Sequence, residues 1–250
     1  MTKCEDVLNF LSTYLNSAQI PDASHNGLQV AGKEEVQEVV FGVSASLELF
    51  RQAAYAGADL IVVHHGLLWG QEQVIAGMFR ERIAFLLQNN INLAAYHLPL
   101  DKHPIVGHNA CLLRAVSAQC MQSFGTYHGV DIGYRGQVDQ PLAQIVSTLE
   151  NFCQTKAQVL AFGPQQIHSV AVVSGGAHSL LPQAIERKVD LYVTGVLDEP
   201  VQEWCREGRI NCVALGHYNS EKPGIIALKD LVAKHFSGIQ TMFIDVPNAI

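Results

Sequence analysis

Asp59-Leu60-Ile61-Val62-Val63-His64-His65-Gly66 is an apolar run that ends in two histidines and a glycine. Continuous rather than alternating apolarity is what a parallel strand covered on both faces requires. Upstream, Val39-Val40-Phe41-Gly42-Val43 has the same buried-strand character. Between the two, Ser46 to Ala56 reads as a helix with Leu47, Phe50, Ala53 and Ala54 on one face, and Gly57 is placed to stop it. The order then returns. Val170 to Gly195 set beside Val39 to His64 reads as strand, Ser174-Gly175-Gly176 turn, helix and the strand Val189-Asp190-Leu191-Tyr192-Val193-Thr194. Ile91-Asn92-Leu93-Ala94-Ala95 likewise matches Ile210-Asn211-Cys212-Val213-Ala214. Each half closes on a histidine with a carboxylate four residues later, His97 with Asp101 and His217 with Glu221.

Strands separated by single helices imply right-handed crossovers and a mostly parallel or mixed sheet flanked by helices in each half. The expected fold is therefore α/β, with two similar domains from an internal repeat. The first spans 1–125 and the second 126–250, with the C-terminal segment packing back on the first. Ligands of such sheets bind beyond the carboxyl ends of the strands, where all the histidine elements fall. An amphipathic helix through Val7, Leu8, Phe10, Leu11 and Leu15 opens the chain, and further helices are expected over Met78–Gln88 and Asn109–Ser117. Strands and turns fit Phe124–Gln140.

Composition narrows the function. The 250 residues are 48% hydrophobic and 16% charged, a balance that excludes disorder. A net charge of −7 disfavours nucleic acid as the main ligand. No apolar run approaches the roughly 18 residues of a membrane span. The opening segment is acidic where a secretory signal would be basic. The six cysteines are scattered without a Cys-x-x-Cys pair, which argues against a zinc ribbon or a disulfide framework. The expectation is a soluble cytoplasmic protein with a small-molecule substrate and no membrane partner.

The histidines and carboxylates carry the chemistry. Neighbouring side chains in a regular strand point to opposite faces. At a strand end turning into Gly66, however, His64 and His65 can face one cleft and serve two different ions. Pro99 between His97 and Asp101 reads as a loop, from which a carboxylate can bridge two cations. His217 and Glu221, followed by Pro223-Gly224, read likewise as a loop feeding a helix near Ile225. Imidazole and carboxylate without thiolate favour zinc, manganese, iron, cobalt or nickel. Two such ions with open positions are hydrolytic machinery, because they lower the pKa of bound water to about 7.

Ser174-Gly175-Gly176 could cradle a phosphate with backbone N–H groups, or could simply be a tight strand-to-helix turn. No Walker A lysine follows it, and neither Gly-x-Gly-x-x-Gly nor Gly-x-Ser-x-Gly occurs, which disfavours P-loop, dinucleotide and serine hydrolase chemistry. His103 and His108 flank Asp101. His97 and His103 are the proton-transfer candidates, with no catalytic side chain otherwise assigned.

Asn26-Gly27-Leu28-Gln29-Val30, Val63-His64-His65-Gly66, His97-Leu98-Pro99-Leu100-Asp101 and Gly216-His217 with Glu221 resemble the Nif-three-like dinuclear metal-binding proteins, often labelled GTP cyclohydrolase I type 2 homologues. The likeness runs through Phe243-Ile244-Asp245-Val246-Pro247 and fits the short bacterial form. It implies a two-domain α/β protein with a metal pair in the cleft between domains and a toroidal homohexamer. It also implies His64, His65, Asp101, His217 and Glu221 as metal ligands, with His97 as a ligand or a group just behind one. The functional expectation is a dinuclear divalent-metal hydrolase acting on a small nucleotide-like or phosphorylated substrate, with ring opening of the GTP cyclohydrolase type by a metal-bound hydroxide as its sharpest form. The alternative is a non-catalytic, ring-shaped metal-binding scaffold or regulator.

Overall fold

The computed structural model describes residues 2–70 and 73–250; Met1, Gln71 and Glu72 lie outside the described residues. In chain order the principal elements are α1 (Cys4–Tyr14), β1 (Gly27–Val30), β2 (Glu38–Ser44), α2 (Leu47–Tyr55), β3 (Leu60–His65), α3 (Gly77–Gln88), β4 (Asn92–Ala95) and α4 (Leu98–Asp101). There follow α5 (His108–Ala115), β5 (Gln119–Tyr127), β6 (Val130–Pro141), α6 (Leu142–Cys153), β7 (Gln158–Ala161) and β8 (Gln166–Val172). The remainder is α7 (Leu181–Glu186), β9 (Leu191–Thr194), α8 (Val201–Gly208), β10 (Asn211–Ala214), α9 (His217–His235) and β11 (Gln240–Phe243). The class is mixed α/β, sheets flanked by helices. Among the described residues no helix is long and apolar enough to cross a membrane.

The chain divides into two compact units, one running up to Leu100 with Ile225–Pro247, the other holding Asp101–Gly224 with Asn248–Ile250. This differs from a division at 125/126, and packing explains why. Ala110, Leu112, Leu113 and Val116 bury their side chains in the same core as Ile145, Leu149, Val170 and Leu191, so α5 belongs with the later strands. At the other end, β11 pairs in parallel with β2, Gln240 opposite Glu38, which returns the C-terminal segment to the first unit.

The first unit contains a five-stranded sheet in the order β11-β2-β3-β4-β1. Its three central strands are parallel, and β1 runs antiparallel to β4. Leu60, Ile61, Val62 and Val63 are each 0% exposed, as a strand covered on both faces demands. The helix α2 is capped by Ser46, whose Oγ accepts the Leu49 N–H at 3.1 Å. Gly57, with φ +79°, follows its end.

The second unit contains a six-stranded sheet in the order β5-β6-β8-β9-β10-β7. Here β8, β9 and β10 are parallel, and β7 runs antiparallel to β10. One bonding pattern recurs in both units. Asn92 accepts the Gly32 N–H (2.8 Å) and donates to the carbonyls of Lys33 and Asp59 (2.8 and 3.0 Å). Asn211 accepts the Gly163 N–H (2.9 Å) and donates to those of Pro164 and Asp190 (2.7 and 3.2 Å). Asp59 in turn takes the N–H groups of Gln37 and Glu38, and Asp190 those of His168 and Ser169. Counted from these two asparagines, His97 stands level with Gly216, so His217 falls one residue later than its apparent counterpart.

Two expected loops are helical turns. Leu98–Asp101 forms α4, and Pro99 is tolerated because a first helical turn needs no N–H at that position. His217 opens α9, with Pro223 inside the helix. The N–H of the next residue, Gly224, is not wasted at this break: it donates to His108 Nδ1 at 3.1 Å.

Candidate metal centre

In the first unit, the carboxyl ends of β3 and β4 gather three imidazoles. One ring nitrogen from each of His64, His65 and His97 lies within 4.8 Å of the others. The ring centroids of His64 and His65 are 4.5 Å apart, and those of His64 and His97 4.9 Å. His64 is fully buried, at 0% exposure.

What lies behind each ring decides what it can bind. His64 Nδ1 is 3.0 Å from the Tyr96 carbonyl, an acceptor only, so Nδ1 carries the proton and the lone pair is on Nε2. His97 Nδ1 is 2.9 Å from Asp22 Oδ1, with the same consequence. His65 Nδ1 is 3.0 Å from Ser44 Oγ. A histidine held by its second nitrogen against a carbonyl or carboxylate is oriented for a cation. The cluster therefore fits a divalent ion of the borderline class, without thiolate donors.

Asp22 is the anchor that sequence reasoning missed. Its Oδ1 accepts from Ser24 N–H and His97, its Oδ2 from Asn26 Nδ2 and the Leu98 N–H at the start of α4. Burial alone would push this carboxyl up. The hydrogen bond and charge of His97, aided by Asn26 and the Ser24 N–H, outweigh it and hold Asp22 at about 2. Asn26 also accepts the His97 N–H, at 2.8 Å. The only sequence signal was the Pro21-Asp22 break ahead of the Asn26-Gly27 turn.

The second unit carries the carboxylates. Asp101, 5% exposed, accepts from Ser174 Oγ at 3.2 Å, and Asn109 braces both ends of this contact by donating to the Asp101 carbonyl and accepting the Ser174 N–H. His108 offers a ring nitrogen within 4.8 Å of an Asp101 oxygen. Since the Gly224 N–H can only donate, His108 Nδ1 accepts there, and in the neutral ring the proton sits on Nε2. His217 Nε2 and Glu221 Oε1 are 3.3 Å apart, one helical turn along α9.

The 174–176 turn and His103 also lie in this unit. In the 174–176 turn, the Ser174 N–H donates to Asn109 and the Gly175 N–H to Ser220 Oγ at 2.9 Å. Gly175 has φ +67°, and a Cβ there would collide with the Glu221 carboxylate. The Ser174 and Gly175 amides are thus engaged within the protein, and the Glu221 carboxylate lies alongside the turn. His103 Nδ1 accepts the N–H groups of Ile105 and Val106 (3.2 and 3.1 Å), so this ring caps its own loop and presents Nε2–H.

The family model described as Duf34/NIF3 (NGG1p interacting factor 3) matches residues 2–249. The chain belongs to this family. A DUF34/NIF3 relative from Archaeoglobus fulgidus, named GTP cyclohydrolase 1 type 2 homolog, is 42% identical over 244 residues, covering 97% of each chain. Among solved structures, protein ybgI, described as of unknown function, superposes with a TM-score of 0.92 at 35% identity, with full coverage of both chains. TTHA1606 from Thermus thermophilus does so at 0.92 and 32%, again with full coverage. This DUF34/NIF3 chain thus carries histidine and carboxylate groups that could hold a metal ion.

Proposed function

We propose that this DUF34/NIF3 protein is a hydrolase dependent on two divalent metal ions, acting on a small nucleotide-like or phosphorylated substrate. His64, His65, Asp101, His217 and Glu221 would hold the ions, with His97 as a further ligand or the group just behind one. The observation that carries the reading is the trio His64, His65 and His97, each ring fixed through Nδ1 to a carbonyl, a hydroxyl or a carboxylate. Three oriented imidazoles without thiolate match a catalytic donor set rather than a closed structural one.

When bound, such ions polarise a substrate oxygen and bring the pKa of water near 7. The chain's own residues then divide the remaining work. Asp22, bonded to His97 Nδ1, leaves His97 Nε2 as the nitrogen that would face an ion or a substrate proton. Ser174 Oγ–H orients Asp101 by donating to it. His103 Nε2–H is a proton donor to a leaving group. The GTP cyclohydrolase label on the relatives suggests opening of a purine imidazole ring as the reaction to try first. Assembly into a homohexamer is part of the same proposal, to be read from solution mass.

The test is reconstitution with zinc, manganese, iron, cobalt and nickel in turn, followed by assay on GTP, other nucleotides and generic phosphoesters. The expected result is metal-dependent turnover of at least one class, lost in Asp101→Ala. No turnover with any metal on any class overturns the hydrolase reading in favour of a metal-binding scaffold.

A further inference from the structure

The first unit contains a pocket of about 830 Å³, ample for a small ligand. Trp69, Phe79 and Ile83 give it apolar walls, and Ser24 and Asp22 contribute polar groups. We propose that this pocket binds an uncharged heteroaromatic ring of the nucleobase class, beside the histidine trio. The inference rests on the hydrolase reading only in taking that ring to be part of the substrate.

Ser24 is the first argument. It is 5% exposed, and its Oγ is a buried hydroxyl without a hydrogen-bond partner. Leaving a buried hydroxyl unsatisfied costs about 1–3 kcal/mol, so such a group just behind a pocket wall marks a place where a ligand that opens the wall supplies the partner. The backbone around it is pinned. Ser24 bridges to Trp69, His25 N–H donates to the Leu68 carbonyl at 3.0 Å, and Gly70 N–H to that of Ala23 at 2.6 Å.

Trp69 is the second. Its Nε1–H is committed to the Gly66 carbonyl at 3.0 Å, so what the indole offers a ligand is its ring surface. The indole also stands edge-on to His97, centroids 5.0 Å apart, which ties this wall to the metal-binding histidines. Charge supplies the third argument. No lysine or arginine is among the described residues lining the pocket, and both Asp22 oxygens already accept hydrogen bonds. Among the described lining residues a phosphate meets only the His25 imidazole, and a cation only the Asp22 carboxylate, whose oxygens are already bonded. An uncharged ring with hydrogen-bonding edges has both an apolar wall and a hydroxyl.

The experiment is calorimetric titration of the full chain, metal-free and reconstituted, with guanosine and with ribose 5-phosphate. Guanosine should saturate one site per chain with or without metal, and ribose 5-phosphate should not compete in the metal-free protein. Ser24→Ala, which deletes an unpartnered hydroxyl and so should fold normally, should weaken guanosine about tenfold, as should Phe79→Ala. Metal content should be unchanged in both variants, which separates failure here from failure of the metal assignment. Absence of saturable guanosine binding overturns the proposal, as does binding indifferent to both substitutions. If guanosine is ignored and Ile75→Ser instead converts an oligomer to a monomer, the groove belongs to a second copy of the chain, and the proposal falls.

Discussion

His97 Nδ1 and Asp22 Oδ1 lie 2.9 Å apart, and this contact decides which nitrogen of His97 faces chemistry. Asp22 is 75 positions away in sequence, yet it orients the ring, caps the α4 turn at Leu98 and fixes the Asn26 side chain. Asp22→Asn keeps the shape but loses an anion and an acceptor. Partners that orient metal-binding histidines are worth 10–100-fold in affinity, so the variant should surrender metal to a competing chelator at 10–100-fold lower chelator strength. Metal retention equal to wild type would show that His97 stands outside the metal-binding groups.

Gly175 and Glu221 are coupled sterically. The backbone at Gly175 is left-handed, at φ +67°, and an added methyl has no room beside the Glu221 carboxylate. Gly175→Ala should cost about 1–3 kcal/mol in denaturant unfolding, the strain of that backbone region. It should also reduce metal content by moving Glu221. A variant as stable and as metal-loaded as wild type would contradict this coupling.

Asn92 and Asn211 each satisfy three backbone groups that are buried or partly buried. Replacing either by Ala strands those groups, and a loss of about 2–3 kcal/mol is expected for each. Similar losses in chemical denaturation would match the similar bonding, while a near-neutral Asn211→Ala would break the parallel between the two units.

Much of this was legible in the sequence. The apolar run Leu60–Val63 announced a strand covered on both faces, and the Asn92 and Asn211 matches anticipated the recurring parallel trio of strands. The shared asparagine and aspartate bonding supports the reading of an internal repeat. What stayed hidden was set by tertiary contacts. Pro99 and Pro223 suggested loops because a proline removes an N–H, but whether that N–H is needed depends on position in the helix and on a distant acceptor such as His108. The place of α5 was not legible because it is an ordinary amphipathic helix, and its apolar side chains do not announce which sheet they cover. Asp22 gave no sign of its role because it acts through four partners brought together by folding.

Acid should reveal the Asp59 bracket. Burial pushes the Asp59 carboxyl up, but Lys33 Nζ at 2.5 Å and the N–H groups of Gln37 and Glu38 outweigh it and lower it below the usual value of about 4. A carboxyl depressed in the folded state stabilises above its unfolded pKa, and the contribution disappears as pH falls through the folded one. Wild type should therefore lose stability below about pH 4 more steeply than Asp59→Asn. Superimposable pH–stability curves would mean that Asp59 does not titrate differently on folding.

The most direct test of the central claim is elemental analysis of the reconstituted full chain beside Asp101→Ala. Wild type should hold two equivalents of divalent metal per chain, and the variant should lose at least one while keeping its far-ultraviolet dichroism. Full retention of both ions without the Asp101 carboxylate, or a wild-type chain that holds no metal, would contradict the account.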